Sequence, residues 1–196
     1  MPRKLEFEPK DVLQKAMQVF WEKGLVETSI NDLVQATGVQ RSGLYNVFGS
    51  KENLFRESFQ FYLDTVMQKN FAVLYQCPEV RVADLIAFFQ QLYPVIDLAE
   101  SRFGCLLCHS AVAYSPEMQA VHDLIAGQLQ EMEDVFALAL VNSKKHKDIA
   151  ESVDAQETAE YLVASILALH SMLRGAPARK YAKKYLDRVL LELQQL

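Results

Sequence analysis

With 196 residues, 51% of them hydrophobic, the chain is long enough to bury one large core or two small ones. A formal net charge of −5 argues against nucleic-acid binding by the chain as a whole, and no apolar run reaches membrane-spanning length. Three cysteines, Cys77, Cys105 and Cys108, are an odd number and argue against a secreted disulfide scaffold; with no charged-then-apolar leader at the N-terminus, a soluble cytoplasmic protein with reduced thiols is expected.

Residues 1–8 are polar and charged and read as a flexible arm. Pro9 suits a first helical turn, and Val12, Ala16, Val19 and Phe20 then recur at helical spacing until Gly24 ends the run. Trp21, the single tryptophan, is expected to pack at the end of that helix. Thr28 or Ser29 can cap a second helix, and Asp32, three residues after Ser29, extends the signal toward a capping box. Ile30, Leu33 and Val34 form its inner face, and Gly38 suits the left-handed residue that stops it. A third short helix follows, pinned by Val39, Leu44 and Phe48, with Gln40, Arg41, Ser42, Gly43 and Asn46 facing outward. Two helices at a steep angle, the second with a polar and basic outer face, describe a helix-turn-helix.

Ser50 is expected to cap a long helix reaching about Tyr75. After Cys77-Pro78-Glu79, an apolar face from Val82 to about Ala99 (Leu85, Phe88, Phe89, Leu92, Val95, Ile96) predicts another helix, kinked or ended by Pro94. Cys105 to Val112 reads as a buried helix, and Ser115-Pro116 starts one from Glu117 to about Val141. Asn142 to Asp148 is read as a solvated basic loop. The last two helices, Asp154–Arg174 and Ala178–Leu196, are joined at Gly175-Ala176-Pro177. They carry the stripes Leu162, Ile166, Leu169, Leu173 and Ala182, Leu186, Val189, Leu190, Leu193. No strand pattern occurs, so the expected fold is all-α with about nine helices.

The run Phe20, Gly24, Thr28, Ile30, Leu33, Gly38, Val39, Leu44, Tyr45, Phe48, Lys51 resembles the N-terminal DNA-binding domain of the TetR family of bacterial transcriptional regulators. The resemblance implies a three-helix DNA-binding domain over residues 1–50. Residues 51–196 would form a helical inducer-binding and dimerisation domain, pairing through residues 154–196 as a four-helix bundle. It implies a regulator, most readily a repressor, that binds double-stranded operator DNA and leaves it when a small-molecule or electrophile inducer arrives. Arg41 can donate two hydrogen bonds to guanine and Gln40 can pair with adenine; Ser42, Tyr45, Asn46 and Lys51 suit phosphates, and Thr28 and Gly43 complete the expected DNA-contacting set. Gln40 stands where the family usually has a capping Ser or Thr, and Asn46 where His or Tyr is frequent, so the cap is expected to be weaker and the operator different. Residues 1–56 hold eight basic and seven acidic side chains, so the acidic excess lies outside this module.

For the inducer side, Phe59, Tyr62, Phe88, Phe89, Tyr93 and His122 are candidate pocket residues, although core packing is the more ordinary use of any one such ring. Cys105, Cys108 and His109 stand at i, i+3 and i+4 and would share a helix face. The stretch from Gly104 to Met118 resembles the electrophile- and oxidant-sensing branch of the same family, which implies that Cys105 is a sensor thiol with Cys108 or His109 assisting. Inert buried thiols, a redox or electrophile sensor, and a metal site lacking an evident fourth ligand all stay open, and no metal ligand or cofactor is assigned. A helical thiol oxidoreductase and a protein-binding adaptor are the rival classes. The first lacks the strand-rich context of such enzymes, and neither predicts salt-dependent duplex binding.

Overall fold

The computed structural model describes residues 7–97, 103–113, 116, 119–174 and 177–196. Most of the N-terminal arm, Tyr114-Ser115, Glu117-Met118 and Gly175-Ala176 lie outside the described residues, as does the expected helix end at Ala99. All regular structure among the described residues is helical, and contacts divide the chain into two compact units. The first runs to Gln68 and takes in Ala113–Asp123; the second comprises Lys69–Val112 and Leu124–Leu196.

In the first unit, α1 (Pro9–Glu27) begins with its proline in the first turn and buries Val12, Ala16 and Phe20. Gly24 interrupts it at φ 82°, a conformation that a side chain resists, so the last turn swings away from the helix axis. Ser29 then opens α2 (Ile30–Thr37) with a reciprocal capping box: its Oγ accepts from the Asp32 N–H at 3.1 Å, and Asp32 accepts from the Ser29 N–H at 2.9 Å. Gly38, left-handed at φ 74°, stops α2 by donating its N–H to the Val34 carbonyl. The third helix, α3 (Arg41–Phe48), ends at Gly49, and Ser50 caps α4 (Lys51–Tyr62) by accepting from the Asn53 N–H at 3.0 Å. Packing of α4 on α1 is carried by rings: Phe20 meets Phe55 edge-on at 5.0 Å, Trp21 meets Tyr62 likewise, and Phe59 bridges Phe55 and Tyr62. By its contacts α4 therefore belongs with α1–α3, whereas the sequence reading ended the first domain at residue 50.

The expected single helix from Ser50 to Tyr75 is broken. A π-helical stretch, Leu63–Met67, follows α4 and is succeeded by α5 (Gln68–Asn70) and α6 (Ala72–Tyr75). Thr65 contributes locally, since its hydroxyl donates to the Phe61 carbonyl at 2.6 Å, a bond that loosens regular helical pairing.

In the second unit, α7 (Val82–Gln90) stops at Gln91 and α8 (Leu92–Asp97) follows. Pro94 explains the break, because its ring excludes the carbonyl four residues earlier, that of Gln90. Then come α9 (Leu106–Val112), α10 (Gln119–Lys145), α11 (Ala155–Arg174) and α12 (Arg179–Gln194). These helical segments outnumber the nine expected because the long helices are interrupted. Phe71, Phe88, Phe89 and Phe136 make the aromatic centre, with centroid separations of 4.6 to 6.5 Å. The basic loop expected from Asn142 is partly helix: α10 continues to Lys145 and buries Asn142 and Ser143. Ser143 Oγ accepts from the Val82 N–H at 2.7 Å and Asn142 donates to the Val80 carbonyl, so both satisfy the chain entering α7. The apolar stripes of α11 and α12 pack on each other within one chain, and α11 also packs on α9.

Candidate nucleic-acid interface and thiol cluster

The outer face of α3 is polar because its inner face is used up. Leu44 and Phe48, with Val39 before them, are buried, which turns Gln40, Arg41, Ser42 and Asn46 to solvent. The Arg41 guanidinium lies over the half-buried Tyr45 ring, 5.4 Å from its centroid. That contact restrains the arginine while its donors stay outward. Gln40 is the residue before α3 and makes no side-chain capping bond, as the missing Ser or Thr implied. Its amide is therefore uncommitted to the helix and stands exposed at the helix start.

Three members of the expected DNA-contacting set have work inside the protein. Thr28 is 1% exposed, and its hydroxyl donates to the Gly24 carbonyl at 2.6 Å. Its side chain is thus closed off from a phosphate. Lys51 Nζ donates to the Leu25 carbonyl at 2.9 Å and to the Thr28 carbonyl at 3.0 Å, satisfying acceptors left over where α1 ends. Gly43 is small for a packing reason: a Cβ there would lie 2.9 Å from Val39 Cγ1.

The pocket candidates fall in different places. Phe59 and Tyr62 are fully buried in the ring cluster of the first unit, and Phe88 and Phe89 in that of the second. Tyr93 donates to Asp187 at 2.5 Å, and His122 is half-buried in the stretch assigned to the first unit. A groove of about 440 Å³ lies between α11 and α12, lined by Tyr161, Leu162, Glu192 and Leu193 among others.

Cys105 and Cys108 do come together, but with a different histidine. The Cys105 carbonyl accepts from the His109 N–H at 2.9 Å, which starts α9 and sets Cys108 close to one turn on. One ring nitrogen of His170, on α11, lies with both sulphurs, all three atoms within 4.8 Å of one another. The expected third member, His109, is not in this group. Burial, and then the positive charge of Arg174, hold its imidazole down to about 4. The Cys108 thiol is pushed well above its ordinary value, first by its hydrogen bond to Cys105 and then by burial. Gly104 makes the approach possible: at φ 63°, a Cβ would sit 2.7 Å from the His170 carbonyl oxygen. His170 was missed because it occupies the inner arc of α11 between Leu169 and Leu173, where sequence alone offers only an apolar stripe.

Residues 12–58 match the profile of bacterial regulatory proteins, tetR family, and residues 82–187 match that of the tetracyclin repressor-like C-terminal domain. The chain is 30% identical over 172 residues to the uncharacterised HTH-type transcriptional regulator YezE of Bacillus subtilis (strain 168), covering 86% of this chain and 87% of that one. It is 29% identical over 176 residues to the HTH-type transcriptional repressor ComR of Escherichia coli (strain K12), covering 89% and 83%. Among solved structures, the regulator CifR, as a cysteine mutant complexed with 26-bp double-strand operator DNA, superposes with TM-score 0.82 at 27% identity, covering 97% of this chain and 98% of that one.

Proposed function

The chain belongs to the tetR family of bacterial regulatory proteins and is a DNA-binding transcriptional regulator; from that premise we propose that it is a repressor whose α3 reads an operator and whose second unit takes the releasing signal. The observation that carries the reading is the α3 face, where Arg41 and Gln40 stand exposed at the helix start over a buried underside. The helix N-terminus is the part of a recognition helix that meets base edges. The relatives named above as a repressor and as an operator complex support duplex DNA as the partner.

Two recognition helices one DNA turn apart, about 34–36 Å, require a homodimer. We place its interface on the outer surfaces of α11 and α12, within residues 154–196. The stripes expected there are consumed inside one chain, so the pairing surface is what remains: exposed Tyr161, Tyr181 and Leu191 and the groove beside Tyr161. The signal is a small molecule or a modification at the Cys105–Cys108 pair, and the segment through the π-helical stretch at Leu63–Met67 carries it, since such stretches accumulate where helices must adjust. Work on chromosomal DNA places the protein in the cytoplasm, and among the described residues no helix is long and apolar enough to cross a membrane.

The test is fluorescence anisotropy of the chain against inverted repeats from the DNA flanking its own coding region, at several salt concentrations. Arg41→Ala is expected to cost about 1–3 kcal/mol and to relax preference at one base pair. Binding that ignores sequence, or an Arg41→Ala protein with full affinity and selectivity, overturns the reading. If neither N-ethylmaleimide nor hypochlorite weakens binding, or if Cys105→Ser responds like the parent, thiol modification is excluded as the signal.

A further inference from the structure

We infer that Cys105, Cys108 and His170 form a binding site for one thiophilic, low-coordinate metal ion, with Cu(I) as the ion it fits. Three donors held about 2.0–2.3 Å from one ion stand roughly 3.5–4 Å apart. The two sulphurs and the imidazole nitrogen already lie within 4.8 Å of one another, so an ion needs only small side-chain adjustments to meet all three.

The site is built from two elements rather than from one run of sequence. Cys105 and Cys108 come from the start of α9, and His170 comes from α11, which packs against it. Gly104 lets that packing close, since any side chain at this position meets the His170 backbone. The donors are also dry: Cys105 is 7% exposed and Cys108 1%. His170 Nδ1 is itself buried and has no hydrogen-bond partner among the described residues. A buried polar nitrogen left without a partner is costly, and it marks a place where a ligand is owed.

Donor chemistry and charge choose the ion. Among the described residues the donors are two sulphurs and an imidazole with no carboxylate, a set that selects soft or borderline metals over Mg(II) and Ca(II). Zn(II) in a closed site takes four ligands, whereas three are gathered here among the described residues. A d10 monovalent ion is content with two or three. Binding replaces both thiol protons, which pass to solvent, and the ion enters already reduced, so no electron is transferred. Two thiolates around Cu(I) leave one negative charge, and Arg174, partly buried and one turn after His170 on α11, is a cation close to the site.

The deeper claim, which rests on the repressor reading, is that this ion is the releasing signal. The test is anaerobic titration of the full chain with Cu(I) against a chromophoric Cu(I) chelator, followed by X-ray absorption on the loaded protein. One ion per chain is expected, with two sulphurs and one nitrogen as its near neighbours. Cys105→Ser and Cys108→Ser should each weaken it by about a hundredfold or more, and His170→Gln by about tenfold or more. The absorption spectrum of the unmutated protein keeps the proposal decidable if a variant fails to fold. No chelator-competitive binding, a sulphur-free coordination shell, or preferential uptake of Zn(II) overturns it. Operator affinity measured with and without Cu(I) separates the two claims. A loaded protein that keeps full affinity retains the site and overturns the signal, whereas a protein that never binds DNA defeats only the repressor reading.

Discussion

Replacing Lys51 by Met separates two uses of one charge. The methionine keeps an unbranched apolar stem of similar reach and removes the ammonium, so packing along the stem is retained. Nζ donates two bonds, to the carbonyls of Leu25 and Thr28, where α1 has run out of its own donors. Hydrogen bonds with one charged partner contribute about 1.5–3 kcal/mol when buried, and this site is partly exposed, so Lys51→Met should cost about 2–3 kcal/mol in all. For a chain of this length that corresponds to a fall in melting temperature of roughly 4–12 °C, read by calorimetry or circular dichroism. If Lys51 is committed to those carbonyls, the slope of log affinity for DNA against log salt stays as it was. A lysine that contacts a phosphate instead lowers that slope by about 0.9 per chain. An unchanged melting temperature together with a shallower salt slope would refute the internal role and restore the sequence expectation.

Ser29→Ala removes one half of the capping box on α2 and should cost about 1 kcal/mol, seen as a lower urea midpoint with the same slope. Asp32 is held down to about 2 by its bond to Lys23 and by the Ser29 N–H and hydroxyl. Its folded value is below its ordinary 3.8, so its contribution is complete above that pH and is lost as pH falls through about 2. Asp32→Asn should therefore flatten the acid limb of the stability curve between about pH 4 and 2, and an unchanged limb counts against the pairing. Gly104→Ala must hold a left-handed backbone and push a methyl group to 2.7 Å from the His170 carbonyl; a loss of at least about 2 kcal/mol is expected in denaturant titration.

The first unit was legible because its signals are local. Ser29 with Asp32, Gly38 after Thr37 and Ser50 before Lys51 are caps written within three or four residues, and each is where it was expected. The broken helices were less legible because their causes compete. Pro94 announces a break but not that Gln91 bears it, and nothing around Leu63 announces a π-helical stretch. Lys51 and Thr28 show the limit of reading a motif outward: each has a side chain suited to phosphate, but each meets a carbonyl of its own chain first. The same limit misled the thiol cluster. Spacing correctly brought Cys105 beside Cys108 at the start of one helix, yet the third donor comes from a helix over 60 residues later, and no local pattern distinguishes His170 from His109. Helix period determines neighbours within an element, whereas partners between elements depend on packing, here on the one close approach that Gly104 permits.

Charge gives the last constraint on how such a molecule can work. Eight cations against seven anions over residues 1–56 is a weak field for a polyanion, and the structure weakens it further. Lys23 is paired with Asp32 at 2.7 Å, Lys51 is turned to carbonyls, and Arg56 donates to Asn53. Of the cations on α1, α3 and α4, this leaves Lys10, Lys15 and Arg41 with no internal bond to an anion or carbonyl among the described residues. Non-specific affinity grows with the number of phosphates neutralised, so a single DNA-binding unit would hold duplex DNA poorly. Under the proposed reading, occupancy of an operator would then come from pairing two chains and from directed bonds at Arg41 and Gln40, not from a general attraction to DNA. A regulator balanced that way is easy to release. On the proposed reading, an ion or ligand that unsettles the pair would have only a small electrostatic term to overcome, and a modest differential affinity for the released state would suffice to empty the site.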